Sequence, residues 1–290
     1  MANFGSQSMV GPLKRVLMRA PGKALFTADK ALWHYDAALD PAKATAQFQG
    51  FADLVAATGA RIDWIADADD GLADSIFTHD PSLVTGRGAV LLSMGKALRR
   101  AEVAAHEAAY AAAGVPILGR IEAPGMIEGG DCCWLDDRLL AVARGVRTNQ
   151  SGIEQLRRLL APLGIEVLSF DLPLWQGRAA CLHMMSVISP LDQDLALIHS
   201  PLMPVAFHDL LTSRGVNLIE ADPDEFAASN GLALNVLATA PRKIIMLSGF
   251  PKTKAAMEAA GCEVATFDGD ALCIPCEGGP TCLTRPVWRA

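Results

Sequence analysis

The sequence predicts an α/β fold: a ring of five pseudosymmetric units, each strand, turn, strand, helix, strand. Three observations predict it. An alanine-rich amphipathic stretch that ends in glycine and runs into a short apolar strand occurs five times. The closing glycines, Gly59, Gly114, Gly164, Gly215 and Gly261, stand 55, 50, 51 and 46 residues apart. Five such units nearly exhaust a chain of 290 residues. Self-similarity at such a period marks repeated supersecondary units, and units unable to bury their own apolar faces stack on one another. An ordinary doubly wound α/β sheet also alternates strands and helices, but does not require the even spacing.

Each element follows from local pattern. The helices read F-A-D-L-V-A-A-T-G, H-E-A-A-Y-A-A-A-G, L-R-R-L-L-A-P-L-G, F-H-D-L-L-T-S-R-G and K-A-A-M-E-A-A-G. Glycine at each end fits a left-handed C-terminus, where a side chain is strained. A strand precedes each helix: R-V-L-M-R-A, G-A-V-L-L-S, R-L-L-A-V-A, D-L-A-L-I-H-S and K-I-I-M-L-S-G. In four units a further strand lies before that one, across turns such as Asp136-Asp137 and Pro190 to Asp194. No linker or low-complexity segment interrupts the series, so residues 1–290 read as a single domain.

Composition bounds the function. Half of the residues are hydrophobic (51%), enough for a sizeable core. A formal charge of −7 argues against nucleic acid and anionic membranes as partners and favours a small cationic ligand. The N-terminal residues lack a basic stretch followed by an apolar one, and apolar runs fall far short of the ~20 residues that span a bilayer. A cytoplasmic location is expected. Seven cysteines, an odd number, argue against a disulfide framework. Cys273-x-x-Cys276 lacks a second pair at zinc-finger spacing, so no metal and no cofactor is expected. A structural zinc protein using these two and Cys132–Cys133 remains an alternative. A homodimer is left open.

The first strand of each unit carries polar residues: Asp80 in I-F-T-H-D-P, Glu128 and Asp131 in M-I-E-G-G-D, His183 in C-L-H-M-M-S, Asn230 and Asn235 in A-S-N-G-L-A-L-N. In a closed ring these converge. The terminal G-G-P-T-C-L would close the ring and bring Cys282 to the same place. Taken singly, each has an ordinary reading as turn residue, core histidine or inert thiol. Their corresponding placement is what singles them out.

Such a centre suits guanidine chemistry. Two buried acids, Asp80 and Glu128, call for a cation, and a planar guanidinium matches paired carboxylates through bidentate hydrogen bonds. A bound cation lowers the pKa of a nearby thiol, and thiolate adds to the guanidinium carbon. Histidine protonates the leaving amine and then deprotonates water. The ordered set F-T-H-D-P, E-G-G-D, R-T-N-Q, the unit-four histidine and G-G-P-T-C-L resembles the guanidino-group-modifying enzyme superfamily, which has the pentein fold, a five-bladed α/β propeller. That resemblance implies Cys282 as nucleophile forming a covalent thiouronium, His183 as general acid and base, and Glu128 and Asp80 as guanidinium ligands. It implies Arg99 and Arg147 on an α-carboxylate, and Asp74 near the substrate's polar end. Arginine deiminases carry His-x-Asp where this chain has His183-Met184-Met185, and F-T-R-D where it has His79. Losing that aspartate leaves room and apolar surface near one guanidinium nitrogen, which favours an N-methylated arginine, as for dimethylargininases. The resemblance leaves arginine deiminases, dihydrolases and amidinotransferases as alternatives, and a non-catalytic guanidine binder is a further one. The M-R-A-P-G-K segment is expected in a substrate lid.

Overall fold

A computed structural model describes residues 3–66, 71–178 and 180–290. Among the described residues, fifteen strands form five three-stranded sheets. The first sheet holds β1 (Leu13–Met18) and β2 (Arg61–Trp64); the second β3 (Ser82–Thr85), β4 (Gly88–Leu91) and β5 (Ile117–Arg120). The third holds β6 (Cys132–Asp136), β7 (Leu139–Arg144) and β8 (Glu166–Asp171); the fourth β9 (Ile188–Asp192), β10 (Leu195–Ile198) and β11 (Asn217–Glu220). The fifth holds β12 (Leu237–Ala240), β13 (Lys243–Leu247) and β14 (Glu263–Phe267), and β15 (Arg285–Arg289) completes the first.

Every sheet repeats one plan: an antiparallel pair, then a helical crossover to a parallel third strand. The fivefold unit expected from the glycine spacing is therefore present. The first unit takes its opening strand from the other end of the chain, as β15 pairs with β1. That pairing closes the ring and leaves no open seam.

Burial grades outward along each sheet. The middle strands β4 and β10 are buried throughout, whereas the third strands β2, β5 and β11 are half-exposed or exposed. The crossover helices pack their apolar stripes on the sheets. Gln150–Leu160 buries Ile153, Leu156 and Leu160, spaced at helical intervals, against Leu140, Val142 and Val167. The five closing glycines have φ of 84°, 70°, 71°, 76° and 85°. A Cβ on Gly59, Gly114, Gly164 or Gly215 would meet no atom within 4 Å, so backbone conformation rather than space selects glycine there. Among the described residues no helix is long and apolar enough to cross a membrane.

One placement differs from expectation. The polar candidates stand not on the first strands but in the turns just before them. Asp80 lies two residues before β3, Glu128 and His183 cap 3₁₀ turns before β6 and β9, Asn235 follows such a turn before β12, and Cys282 lies three residues before β15. A strand inside a sheet commits its backbone to the ladder; a turn leaves backbone and side chain free to face the axis.

Candidate active site

These five turns meet at one end of the ring. Asp80, His183, Asn235 and Cys282 line a cavity of about 530 Å³, with Arg99, Arg147, Asp74 and Lys96 also on its wall. Glu128 is fully buried directly behind His183, whose Nε2 lies 2.8 Å from Glu128 Oε2.

The R-T-N-Q stretch builds the Glu128 loop. Thr148 Oγ1 accepts from the Glu128 amide at 3.2 Å. Asn149 caps its helix at the Gly152 amide, accepts from the Met126 amide at 3.0 Å and donates to the Pro124 carbonyl at 2.9 Å. Arg147 reaches both Glu128 oxygens at 3.3 Å. Burial opposes the Glu128 charge, but the His183 hydrogen bond and Arg147 hold its carboxyl below the usual range.

Asp80 accepts from the Gly130 amide at 2.9 Å on one oxygen and from Arg99 at 2.7 Å on the other. Arg99 also forks onto Glu102 and the Phe77 carbonyl. Two expectations are corrected here. The carboxylates do not wait unpaired for a cation, because Arg99 already neutralises Asp80 and His183 faces Glu128. Arg99 is 4% exposed, and Nε, Nη1 and Nη2 each donate to a protein acceptor, so most of its fork is engaged by Asp80, Glu102 and the Phe77 carbonyl rather than turned toward a substrate carboxylate. Arg147, half-buried on the cavity wall, keeps that position open.

His183 is raised well above the ordinary histidine value. Burial works against the imidazolium, but the Cys181 sulfur, buried Asp131 and the Glu128 hydrogen bond outweigh it. Asp131, pushed up to about 6 by burial, accepts from the Met184 amide at 3.1 Å and fixes the turn that carries His183. Met184 and Met185 point into the core and do not line the cavity, so they supply none of the apolar surface expected beside the guanidinium. Ser186 lines it instead.

Asn235 Nδ2 donates to Cys282 Sγ at 3.0 Å. Desolvation, with Asp80 nearby, raises the thiol above its usual 9.0 despite Asn235 and His183. The glycines before it act through close approach: a Cβ on Gly278 would stand 2.1 Å from the Phe77 ring, and one on Gly279 2.6 Å from the Asn235 side chain. His79 is buried, with Nδ1 2.9 Å from the Thr284 carbonyl and its amide on the Cys282 carbonyl. Burial, helped by Arg285, lowers it to about 3, so it is neutral and ties the Asp80 turn to the Cys282 turn.

Several wall residues carried no sequence signal. Lys96 bonds Asp74 at 2.6 Å and the Trp33 carbonyl at 3.0 Å; Tyr35 donates to Asp74 at 2.8 Å. Asp74 is thus tied to the rim rather than free. Lys30 to Asp36, not M-R-A-P-G-K, edges the cavity mouth. The only detectable hint was that K-A-L-W-H-Y-D falls outside the repeat. Cys181 Sγ lies 3.4 Å from His183 Nε2. Among the described residues, Glu128, Cys181 and His183 are the only three ligand-type side chains grouped within 4.8 Å. Among the described residues, Cys273, Cys276, Cys132 and Cys133 form no such group.

Comparison with known proteins agrees with this geometry. A family model for arginine deiminase matches residues 70–208. The chain is 29% identical over 238 residues to N(G),N(G)-dimethylarginine dimethylaminohydrolase of Streptomyces coelicolor, covering 82% of this chain and 87% of that one. It is 28% identical to arginine deiminase of Mycobacterium marinum, covering 75% of this chain but only 61% of the relative. A mutant dimethylarginine dimethylaminohydrolase from Pseudomonas aeruginosa, solved with citrulline, superposes with a TM-score of 0.75 at 24% identity, over 94% of this chain and 98% of that one. Five turns converge on one cavity in a ring closed by β15, and this ring has the pentein fold, the five-bladed α/β propeller of the solved structure it superposes on.

Proposed function

We propose that the protein hydrolyses an N-methylated arginine to citrulline and a methylamine through a covalent intermediate on Cys282. The observation that carries this reading is the fivefold equivalence of Asp80, Glu128, His183, Asn235 and Cys282 around one cavity. Asp80 accepts N–H bonds from the flat guanidinium, while Glu128, behind His183, acts through the imidazole rather than on the substrate; the bound cation beside the Cys282 thiol offsets the desolvation that keeps it protonated. Sulfur adds to the guanidinium carbon. The C–N bond to the methylated nitrogen breaks as the His183 imidazolium delivers a proton, and the amine leaves. Neutral His183 then takes a proton from water, whose oxygen adds to the thiouronium carbon. The C–S bond breaks, which releases the ureido product and restores the thiolate. Glu128 holds the imidazole in place and stabilises its cation; Asn235 holds the sulfur. Arg147 is the carboxylate anchor, and Asp74, with Lys96, borders the amino-acid end.

The missing second aspartate after His183 favours a substituted nitrogen over free arginine. The chain spans 87% of the methylarginine hydrolase and 61% of the arginine deiminase. Purified protein is to be incubated with asymmetric dimethylarginine, monomethylarginine and arginine, and citrulline and released amine measured. Faster turnover of the methylated substrates is expected. Faster turnover of arginine assigns the deiminase or dihydrolase alternative, and no turnover of any small guanidine ends the hydrolase reading.

A further inference from the structure

Behind the catalytic turns, inside the ring, lies a small cavity of about 20 Å³. Its wall includes Arg285, Arg289, Trp134, His79, Thr281 and Ser6, with no aspartate or glutamate. Arg285 is 4% exposed, Arg289 8% and Trp134 4%. Three of their N–H groups, Arg285 Nε, Arg289 Nε and Trp134 Nε1, are buried and find no acceptor among the described residues. Among the described residues, each guanidinium has only a backbone carbonyl, that of His79 for Arg285 and that of Gly11 for Arg289. Neither takes part in an ion pair among the described residues, since Asp80, the acid whose charge reaches Arg285, is engaged by Arg99.

This arrangement is unusual in energy. A buried guanidinium without a counter-charge is costly, and two close enough to repel cost more. Burial, with Arg285 beside it, draws Arg289 down to about 9, which still leaves it cationic at neutral pH. Buried donors normally find acceptors. Three orphaned donors and two cations around one cavity lack the same thing, a small acceptor carrying negative charge. The volume admits about one water-sized sphere, which a single halide also fits, and which a carboxylate or oxyanion of several atoms exceeds.

We propose that this cavity is a binding site for one small inorganic monoanion, chloride in size, held by Arg285, Arg289 and the indole of Trp134. Water would satisfy the donors but leave both charges uncompensated. Arg285 connects the site to the catalytic end: it donates to the His79 carbonyl, and His79 fixes the backbone of Cys282. The anion therefore fastens the closing strand β15, which carries both arginines, to the turn of Asp80.

Bromide tests this directly. Crystals grown in bromide are expected to show an anomalous peak between Arg285, Arg289 and Trp134. Thermal melting is expected at a higher temperature in chloride or bromide than in gluconate, too large for the cavity, at matched ionic strength. Trp134→Phe removes one donor and no charge, and should weaken apparent halide affinity about tenfold, the worth of a hydrogen bond to a charged group. Arg289→Met should abolish the halide increment. Ordinary water density without an anomalous peak, equal melting in halide and gluconate, or an unchanged halide increment in Trp134→Phe would each overturn the assignment.

Discussion

Replacing Gly130 by alanine offers a narrow test of whether His183 works as a positioned acid and base. Gly130 lies outside the left-handed region, so alanine is not excluded by backbone conformation. Its amide bond to Asp80 at 2.9 Å survives the change. The new methyl, however, would stand 2.4 Å from His183 Nδ1, 2.8 Å from Cγ and 3.0 Å from Asp80 Oδ1. Moving the ring out to an ordinary carbon–nitrogen contact displaces it by about 1 Å. A displacement of that size at a reacting group costs on the order of 10²-fold in rate. The imidazole also moves off Glu128, where the present contact is 2.8 Å. The expected result is a kcat lower by about 10²-fold with a smaller change in KM, since the methyl is directed at the imidazole and leaves the Asp80 backbone bond in place. Steady-state citrulline formation measures this, with circular dichroism and thermal melting to confirm an intact fold. A folded Gly130→Ala protein with kcat within about threefold of the parent would refute the assignment of proton transfer to His183.

Four further outcomes follow from the same geometry. Cys282→Ser should lose about 10⁴-fold or more in turnover and form no trapped adduct by mass spectrometry, whereas Cys181→Ala, outside the fivefold set, should keep turnover within about tenfold. Alkylation of Cys282 should accelerate with pH, with a midpoint above 9.0 in the free protein, because desolvation and Asp80 raise the thiol; a bound, unreactive guanidinium should move that midpoint down, and an apo midpoint below 9.0 contradicts the assignment. Arg99→Met leaves the buried Asp80 and Glu102 without their cation and should cost about 3–5 kcal/mol of stability in denaturant titration. Gly114→Ala, at φ 70° with open space around it, should destabilise by roughly 1–2 kcal/mol, while Gly50→Ala in the Pro41–Ala57 helix should stabilise by about 0.5–1 kcal/mol.

The fold was legible because its signals were local and repeated. A left-handed glycine after an alanine-rich helix is a backbone requirement, and five of them set the ring. The site was legible as far as that repetition reached: Asp80, Glu128, His183, Asn235 and Cys282 each belong to a unit. The partners of those residues were not legible. That Arg99 forks onto Glu102 and Asp80, that Met184 and Met185 turn inward, and that Lys96 bridges Asp74 and the Trp33 carbonyl all depend on side-chain directions across units, with no periodic signature. The rim residues Trp33 and Tyr35 sit in the long connection before the first helix, where the repeat says nothing.

Two thiols, Cys181 and Cys282, belong to the surroundings of His183, and the geometry favours Cys282 for the proposed nucleophile. Cys181 has its sulfur 3.4 Å from His183 Nε2. That nitrogen is also the one 2.8 Å from Glu128, so an attack from Cys181 would have to take place where the imidazole is already held by a carboxylate. It would also come from the unit that supplies the histidine, leaving the Asn235 and Cys282 turns facing the cavity without a task. Cys282 approaches from a different unit. Its sulfur is held by Asn235 and its backbone by His79; desolvation first and the Asp80 charge second keep the resting thiol protonated, and Asp80 is the carboxylate a guanidinium would engage. On the proposed mechanism, a bound cation offsets these influences, so the thiolate forms when its target is in place. A ring of five turns achieves this because each group comes from a separate unit and is positioned by its own backbone.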